Sequence, residues 1–241
     1  MKTGNENNSG LPGWKRALDI GVILLALPMV LPVALIVVAV IRATSSGPIL
    51  FQQERVGYRG RRFMCFKFRT MHCGSDTCPH QGHLKHLMKS DAPMIKMDLR
   101  GDSRIIPLGR LLRASGLDEL PQLLNVLAGD MSLVGPRPCL PYEAEQYQPW
   151  QLERFAAVPG LTGLWQVSGK NRTTFMQMVE LDIQYAKTKN LWLDMKIMIL
   201  TPQALVVQLF DLRQPRKLRR AQSTTVTPVF PVRATNDTIF Q

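Results

Sequence analysis

The sequence predicts an α+β fold, mainly helical, with a re-entrant N-terminal membrane helix, a small β-hairpin, and amphipathic interfacial helices around a compact cytoplasmic domain. Three observations carry this. Ile20 to Ile41 is a run of 22 residues without a charge, long enough to cross a bilayer. Two short segments, 47–53 and 62–68, flank a glycine-containing turn and read as paired strands. Apolar residues then recur at helical spacing around 108–112 and 120–127. The chain of 241 residues holds one cored domain with a membrane segment attached. It divides into a leader (1–13), a membrane helix (14–43), a main domain (44–210) and a tail (211–241).

Charge narrows the class of partner. Thirty Lys and Arg stand against 18 Asp and Glu, a net charge of +12. Such a field attracts nucleic acid, anionic lipid or phosphorylated substrates. No Gly-x-x-x-x-Gly-Lys-Ser/Thr is present, and no Gly-x-Gly-x-x-Gly follows a strand. P-loop and dinucleotide-binding readings therefore lose their main support. The four cysteines, Cys65, Cys73, Cys78 and Cys139, lack the density of a disulfide scaffold and suit a reducing cytosolic face.

In chain order, residues 1–13 are polar and rich in Asn and Gly, the composition of a disordered leader. The apolar run that follows has no small-residue cleavage site of a removed signal peptide. Pro28 and Pro32 sit inside it, each removing a backbone hydrogen bond. Basic residues flank both ends: Lys15 and Arg16 before it, Arg42, Arg55, Arg59, Arg61 and Arg62 after it. Positive charge belongs on the cytoplasmic side, so a helix that enters, breaks at proline and returns to the same leaflet satisfies both flanks. A bitopic anchor with a proline kink is the alternative that hydropathy leaves open.

Gly47–Gln53 and Arg62–Phe68 form the predicted hairpin around Val56–Gly60, and Lys67 and Arg69 fall on one face by the strand period of two. His72 to His86 holds all four histidines and two cysteines. Their spacing matches no structural zinc pattern, so the segment reads as a solvent-exposed helix or loop. Leu108, Leu111 and Leu112 share a helical face with Arg110 and Arg113 at its edge, a pattern suited to anionic headgroups or to core packing.

The most informative stretch is Leu117 to Pro138. It opens with Asp118 and Glu119, ahead of an amphipathic helix carrying Leu120, Leu123, Leu124 and Leu127, with Pro121 at its first position. It closes on Arg137 between Pro136 and Pro138. Acids at a helix start are common caps, but a rigidly held cation near an ionised carboxylate suits phosphate chemistry. Pro159 to Asn171 is a second glycine-dense stretch, in which Gln166, Lys170 and Asn171 are suited to reading a nucleotide or sugar. Leu191 to Phe210 is largely apolar, with only Asp194 and Lys196 charged, and is interrupted by Pro202; its uncharged part, Ile197 to Phe210, is too short for a span, so interfacial or core packing follows. Arg213 to Arg220 is basic, at the root of a tail without periodicity.

Leu117-Asp118-Glu119-Leu120-Pro121-Gln122-Leu123, Gly129-Asp130-Met131-Ser132, Val134-Gly135-Pro136-Arg137-Pro138 and Pro159-Gly160-Leu161-Thr162-Gly163 resemble the bacterial sugar transferase family, the monotopic polyprenyl-phosphate phosphoglycosyl transferases. The resemblance runs from about Lys15 to Phe210. It implies transfer of a sugar 1-phosphate from a UDP-sugar to a polyprenyl phosphate at the cytoplasmic face of a bacterial inner membrane. It also implies a re-entrant helix broken at a proline, for which Pro32 is a better match than Pro28. The implied mechanism is covalent: Asp118 attacks phosphorus and Glu119 assists, with Mg2+ held by the two acids. Arg113 and Arg137 would grip the diphosphate, and Lys67 and Arg69 would bind phosphate beside the site. Lys170 stands where the family usually has arginine, which keeps the charge and loses the planar fork. The partners implied are the UDP-sugar, the polyprenyl phosphate and an anionic membrane surface; downstream glycosyltransferases and a homo-oligomer stay open, and no nucleic-acid motif is present. A non-enzymatic basic membrane adaptor or polyanion binder is the competing reading, and it leaves Asp118-Glu119 and the Gly-Pro-Arg-Pro turn unexplained.

Overall fold

The apolar run folds as one helix, α1 (Gly13–Thr44), of 32 residues, about 48 Å long at 1.5 Å per residue. The computed structural model describes residues 10–213 except 73, 75–77, 89, 91, 95–101 and 103. Most of the predicted leader (1–9), nearly all of the tail (214–241) and Cys73 lie outside the described residues. Pro28 and Pro32 both lie inside α1 without ending it. The expected break is thus not a gap in the helix: an internal proline costs one hydrogen bond, and the turns on either side can hold.

Both ends of α1 pack on the same body while its middle stays bare. Lys15, Asp19 and Ile23 are buried at one end, Val37 and Ile41 at the other. Between them Leu25 is 84% and Met29 71% exposed. Ile23 joins the main core, and Val37 and Ile41 join a second cluster with Phe68, Ile106 and Leu112.

The hairpin forms from β1 (Leu50–Val56) and β2 (Arg62–Phe68), antiparallel with Leu50 opposite Phe68 and Val56 opposite Arg62. β1 starts and ends three residues later than predicted. Pro48 has no N–H to give to a ladder, and at the far end the Val56 N–H donates to the Cys139 carbonyl at 2.9 Å. α2 (Cys78–Met88) is helical as the sequence allowed, with Leu84 and Leu87 buried.

Two amphipathic predictions are corrected. α3 (Gly109–Ser115) begins after Leu108, which sits at φ 62°, and only Leu112 of the expected apolar face is buried. In α4 (Gln122–Ala128) polar Gln122 and Asn125 are buried with Val126, while Leu124 and Leu127 are exposed. Pro121 stands one position before the first helical residue rather than at it. Asn125 explains the inversion. Its Oδ1 accepts the Phe66 N–H at 3.0 Å and its Nδ2 donates to the Met64 carbonyl at 2.7 Å. The edge of β2 not paired with β1 needs partners for its backbone groups, and one side-chain amide supplies both a donor and an acceptor.

A second small sheet was not anticipated. β3 (Ser132–Val134) pairs in parallel with β4 (Gly160–Thr162), joining the two glycine-rich stretches. Between them lie α5 (Pro141–Ala144) and a 3-10 helix (Pro149–Ala156). After β4 come α6 (Leu164–Val167), a 3-10 turn (Lys170–Arg172), α7 (Phe175–Thr188) and α8 (Leu191–Arg213). The Thr174 Oγ1 accepts the Gln177 N–H, and α7 runs through the core with Phe175, Met178, Val179 and Leu181 buried. α8 continues through Pro202 rather than stopping there; Asp194, Ile197 and Gln208 are buried, whereas Trp192, Ile199 and Phe210 are exposed. Among the described residues the protein is mainly helical, with two two-stranded sheets.

Candidate functional site

Asp118 and Glu119 lie on a 3-10 turn (Leu117–Glu119) in the link between α3 and α4. Gly116, at φ 75°, ends α3 in the left-handed region and reverses the chain. Asp118 is buried and Glu119 half-buried. The Lys67 ammonium donates to Glu119 Oε1 at 2.7 Å, so the end of β2 meets the turn that carries the acid pair.

The other predicted phosphate groups have their own partners elsewhere in the fold. Arg113, on α3, donates from Nη1 to Thr70 Oγ1 at 3.4 Å, and its carbonyl accepts from Gln208 of α8. Arg69 is buried, and its guanidinium donates to the Pro48 carbonyl and to the hydroxyl and carbonyl of Ser45. It braces the α1–β1 connection. Gln166 is half-buried on α6, where Nε2 donates to the Leu161 carbonyl. Lys170 sits at φ 45° in its 3-10 turn, and the Asn171 side chain lies outside the described residues.

Arg137 leaves β3 on the Gly135-Pro136-Arg137-Pro138 turn, and Gly135 is pressed against the second glycine-rich stretch. A Cβ on Gly160 would overlap the Gly135 backbone nitrogen, and one on Gly163 would overlap the Gly135 carbonyl. Only glycine permits that approach. The Arg137 Nη1 donates to both oxygens of Glu143, at 3.0 and 3.1 Å.

Sequence reasoning missed the groups behind this turn. Arg154 is buried in the 3-10 helix, and its Nη2 donates to Asp182 Oδ2 at 2.5 Å and to the Arg137 carbonyl at 2.8 Å. Its Nη1 donates to the Tyr147 hydroxyl, which in turn donates to Glu143 at 2.7 Å. Burial raises the Glu143 carboxyl, but the guanidiniums of Arg137 and Arg154 outweigh it and hold it at about 2. For Asp182 burial wins over Arg154 and pushes it up to about 6. Lys15, which the sequence offered only as a basic flank of the apolar run, is buried and donates to Asp194 at 2.5 Å and to Tyr185 at 3.0 Å, tying the base of α1 to α8. A charge flanked by apolar neighbours, as at Asp182 between Leu181 and Ile183 or Asp194 between Leu193 and Met195, was the available signal.

Among the described residues no cluster of three or more His, Cys, Asp and Glu is arranged to hold a metal. Two adjacent carboxylates fit a different use. Mg2+ takes hard oxygen donors, and is commonly held by one or two carboxylates together with substrate phosphates and water.

Fold and site together define a class: a basic domain on an apolar helix, with a carboxylate pair paired to a lysine at the hairpin's end and a braced guanidinium on a proline-framed turn. The model of the family described as bacterial sugar transferase matches residues 12–208. The chain belongs to that family and is an enzyme of it. A UDP-glucose:undecaprenyl-phosphate glucose-1-phosphate transferase of Caulobacter vibrioides is 40% identical over 200 residues, covering 80% of this chain and 69% of that protein. The exopolysaccharide production protein ExoY of Sinorhizobium fredii is 35% identical over 191 residues, 79% of this chain and 84% of the relative. An undecaprenyl-phosphate galactose phosphotransferase of Salmonella typhimurium is 42% identical over 166 residues, 66% of this chain but only 34% of that longer protein.

Proposed function

We propose that this chain transfers a sugar 1-phosphate from a UDP-sugar to a polyprenyl phosphate such as undecaprenyl phosphate, releasing UMP. The observation that carries the reading is the buried Asp118 carboxyl beside the Lys67–Glu119 ion pair. An oxygen of Asp118 attacks the β-phosphorus, and the bond from that phosphorus to the oxygen shared with the α-phosphate breaks. UMP leaves with that oxygen, and the sugar phosphate stays on Asp118. An oxygen of the polyprenyl phosphate then attacks the same phosphorus, and the Asp118–phosphorus bond breaks to free the carboxylate. Carboxylates serve as nucleophiles toward phosphorus in other aspartyl-phosphate enzymes. Glu119 and Lys67 hold charge and proton beside the nucleophile, and Arg113 and Arg137 offset the negative charge of the diphosphate. Asp118 and Glu119 would hold Mg2+, which supplies charge neutralisation for the diphosphate when bound.

α1 supports a re-entrant placement. Its two ends pack on one body while the apolar middle is exposed. A spanning helix would carry its ends to opposite faces of a hydrocarbon core about 30 Å thick. The domain then lies at the cytoplasmic face of the inner membrane, where a soluble nucleotide sugar meets a lipid. Relatives named for glucose and for galactose make hexose-bearing UDP-sugars the first to test.

The test is UMP release from a panel of UDP-sugars in detergent with undecaprenyl phosphate and magnesium. The expected result is lipid-dependent release with one preferred sugar, lost in Asp118→Asn. Full activity in Asp118→Asn overturns the covalent step, and no release from any UDP-sugar overturns the reaction.

A further inference from the structure

We infer that Glu143, Arg154 and Asp182 are positioning residues whose shared task is to aim the guanidinium of Arg137. The inference rests on the reading of Arg137 as the group that meets substrate phosphate, and it concerns residues that neither the motifs nor the relatives' names single out.

Every polar backbone group from Pro136 to Pro138 is held by another part of the chain. The Pro136 carbonyl accepts the Gly160 N–H at 2.8 Å. The Arg137 N–H donates to Asp182 Oδ2 at 3.3 Å, and its carbonyl accepts from Arg154 at 2.8 Å. The Pro138 carbonyl accepts from Arg55 at 3.0 Å. The two prolines have no N–H to satisfy and lock φ on either side. Both main-chain polar groups of Arg137 thus terminate on one buried ion pair, Arg154–Asp182. Glu143 then takes the side chain, and it uses only Nη1. No hydrogen bond to a described residue is made by Arg137 Nη2 or Nε, and neither is among the fully buried polar atoms without a partner. The fork is therefore held on one side and presents its remaining N–H groups outward.

The charge balance points the same way. Arg55, Arg137 and Arg154 bring three positive charges to this cluster, and Glu143 and Asp182 bring at most two negative ones. Burial first, and then repulsion from Arg137, lowers the Arg55 guanidinium. The Arg137 side chain is 21% exposed, so its N–H groups unpaired among the described residues leave room for one more anion. A phosphate oxygen of the substrate is the anion that fits, because a planar guanidinium pairs with it through parallel N–H groups.

A residue that acts only through Arg137 has a signature in kinetics. Glu143→Gln, Arg154→Lys and Asp182→Asn are compared with Arg137→Ala, singly and in combination with it, by kcat and KM for the UDP-sugar and by thermal unfolding of the full chain in detergent. Glu143→Gln keeps the shape of the side chain and Arg154→Lys keeps the charge, so a folded variant is at hand if another fails. We expect each single variant to lose about tenfold or more in kcat/KM, a misplacement effect, at an unfolding temperature still above that of the assay. Each should cost nothing further when Arg137 is already alanine. Additive losses in the Arg137→Ala background, or wild-type kinetics in the folded single variants, overturn the inference. Full activity in Arg137→Ala instead overturns the reading of Arg137 itself.

Discussion

The Lys67 ammonium lies 2.7 Å from Glu119, joining the end of the hairpin to the turn that carries Asp118. Both side chains are partly open to solvent, at 24% and 29% exposure. A pair of that kind contributes at most about 1 kcal/mol to stability. Lys67→Met is therefore expected to unfold close to wild type yet lose about a hundredfold in turnover, the cost of removing one charge-stabilising donor. Thermal unfolding and UMP release measured on the same preparation separate the two. A large drop in unfolding temperature with little kinetic effect would make the pair structural.

Asp118→Asn is expected to reduce lipid-dependent turnover by at least about a thousandfold. Mixing the wild-type protein with UDP-sugar alone should also leave a phosphosugar mass adduct on the peptide containing Asp118, and no adduct in the variant. An adduct on another residue would reassign the nucleophile.

Gly160→Ala tests the contact between the two glycine-rich turns. The added methyl meets the Gly135 backbone, which has no flexible side chain to yield. Overpacking of this type costs about 1–3 kcal/mol, and it shifts the turn bearing Arg137. We expect a raised KM for the nucleotide sugar in addition to the lower unfolding temperature. An unchanged KM would detach the contact from substrate binding.

Lys15 and Asp194 form a buried ion pair, 3% and 0% exposed. Removing one partner leaves the other charge uncompensated, so Lys15→Met should cost about 3–5 kcal/mol in a denaturant titration in detergent. Lys15→Met combined with Asp194→Leu should recover much of that loss. A double variant as unstable as the single one would mean that Tyr185, which also bonds to both, carries the junction.

The two carboxyls behind Arg137 predict opposite pH slopes in stability. Glu143 is held at about 2, below its usual 4.5. Its contribution is present above 4.5 and is lost as pH falls toward 2, so wild type loses stability relative to Glu143→Gln in that range. Asp182 is raised from 3.8 to about 6. The folded protein then binds the proton more tightly than the unfolded chain. Wild type gains stability relative to Asp182→Asn as pH falls from about 6 to about 4. Unfolding temperatures of the three proteins across these windows give the sign of each slope, and parallel curves would contradict both assignments.

The candidate site residues could be picked out because they are local. Asp118-Glu119, the proline-framed Arg137 and the Lys67 strand end are short motifs whose residue types carry their own meaning. The apolar N-terminal helix and the hairpin were legible for the same reason, since length, periodicity and turn residues are properties of neighbouring positions. The inverted face of α4 was not, because leucine spacing cannot announce that Asn125 will be drawn inward by an unsatisfied strand edge.

The sequence by itself determined that the N-terminal run is a helix apolar enough for a membrane, that a hairpin follows it, and which charged residues are candidates for binding phosphate. Only the tertiary structure decided what surrounds Arg137, how β3 and β4 join the two glycine-rich turns, and which body both ends of α1 touch. Asp182 reaches Arg137 from 45 residues away, and Lys15 meets Asp194 across 179. Pairings at that separation depend on how packed elements exclude water around particular charges, and local periodicity contains no information about that.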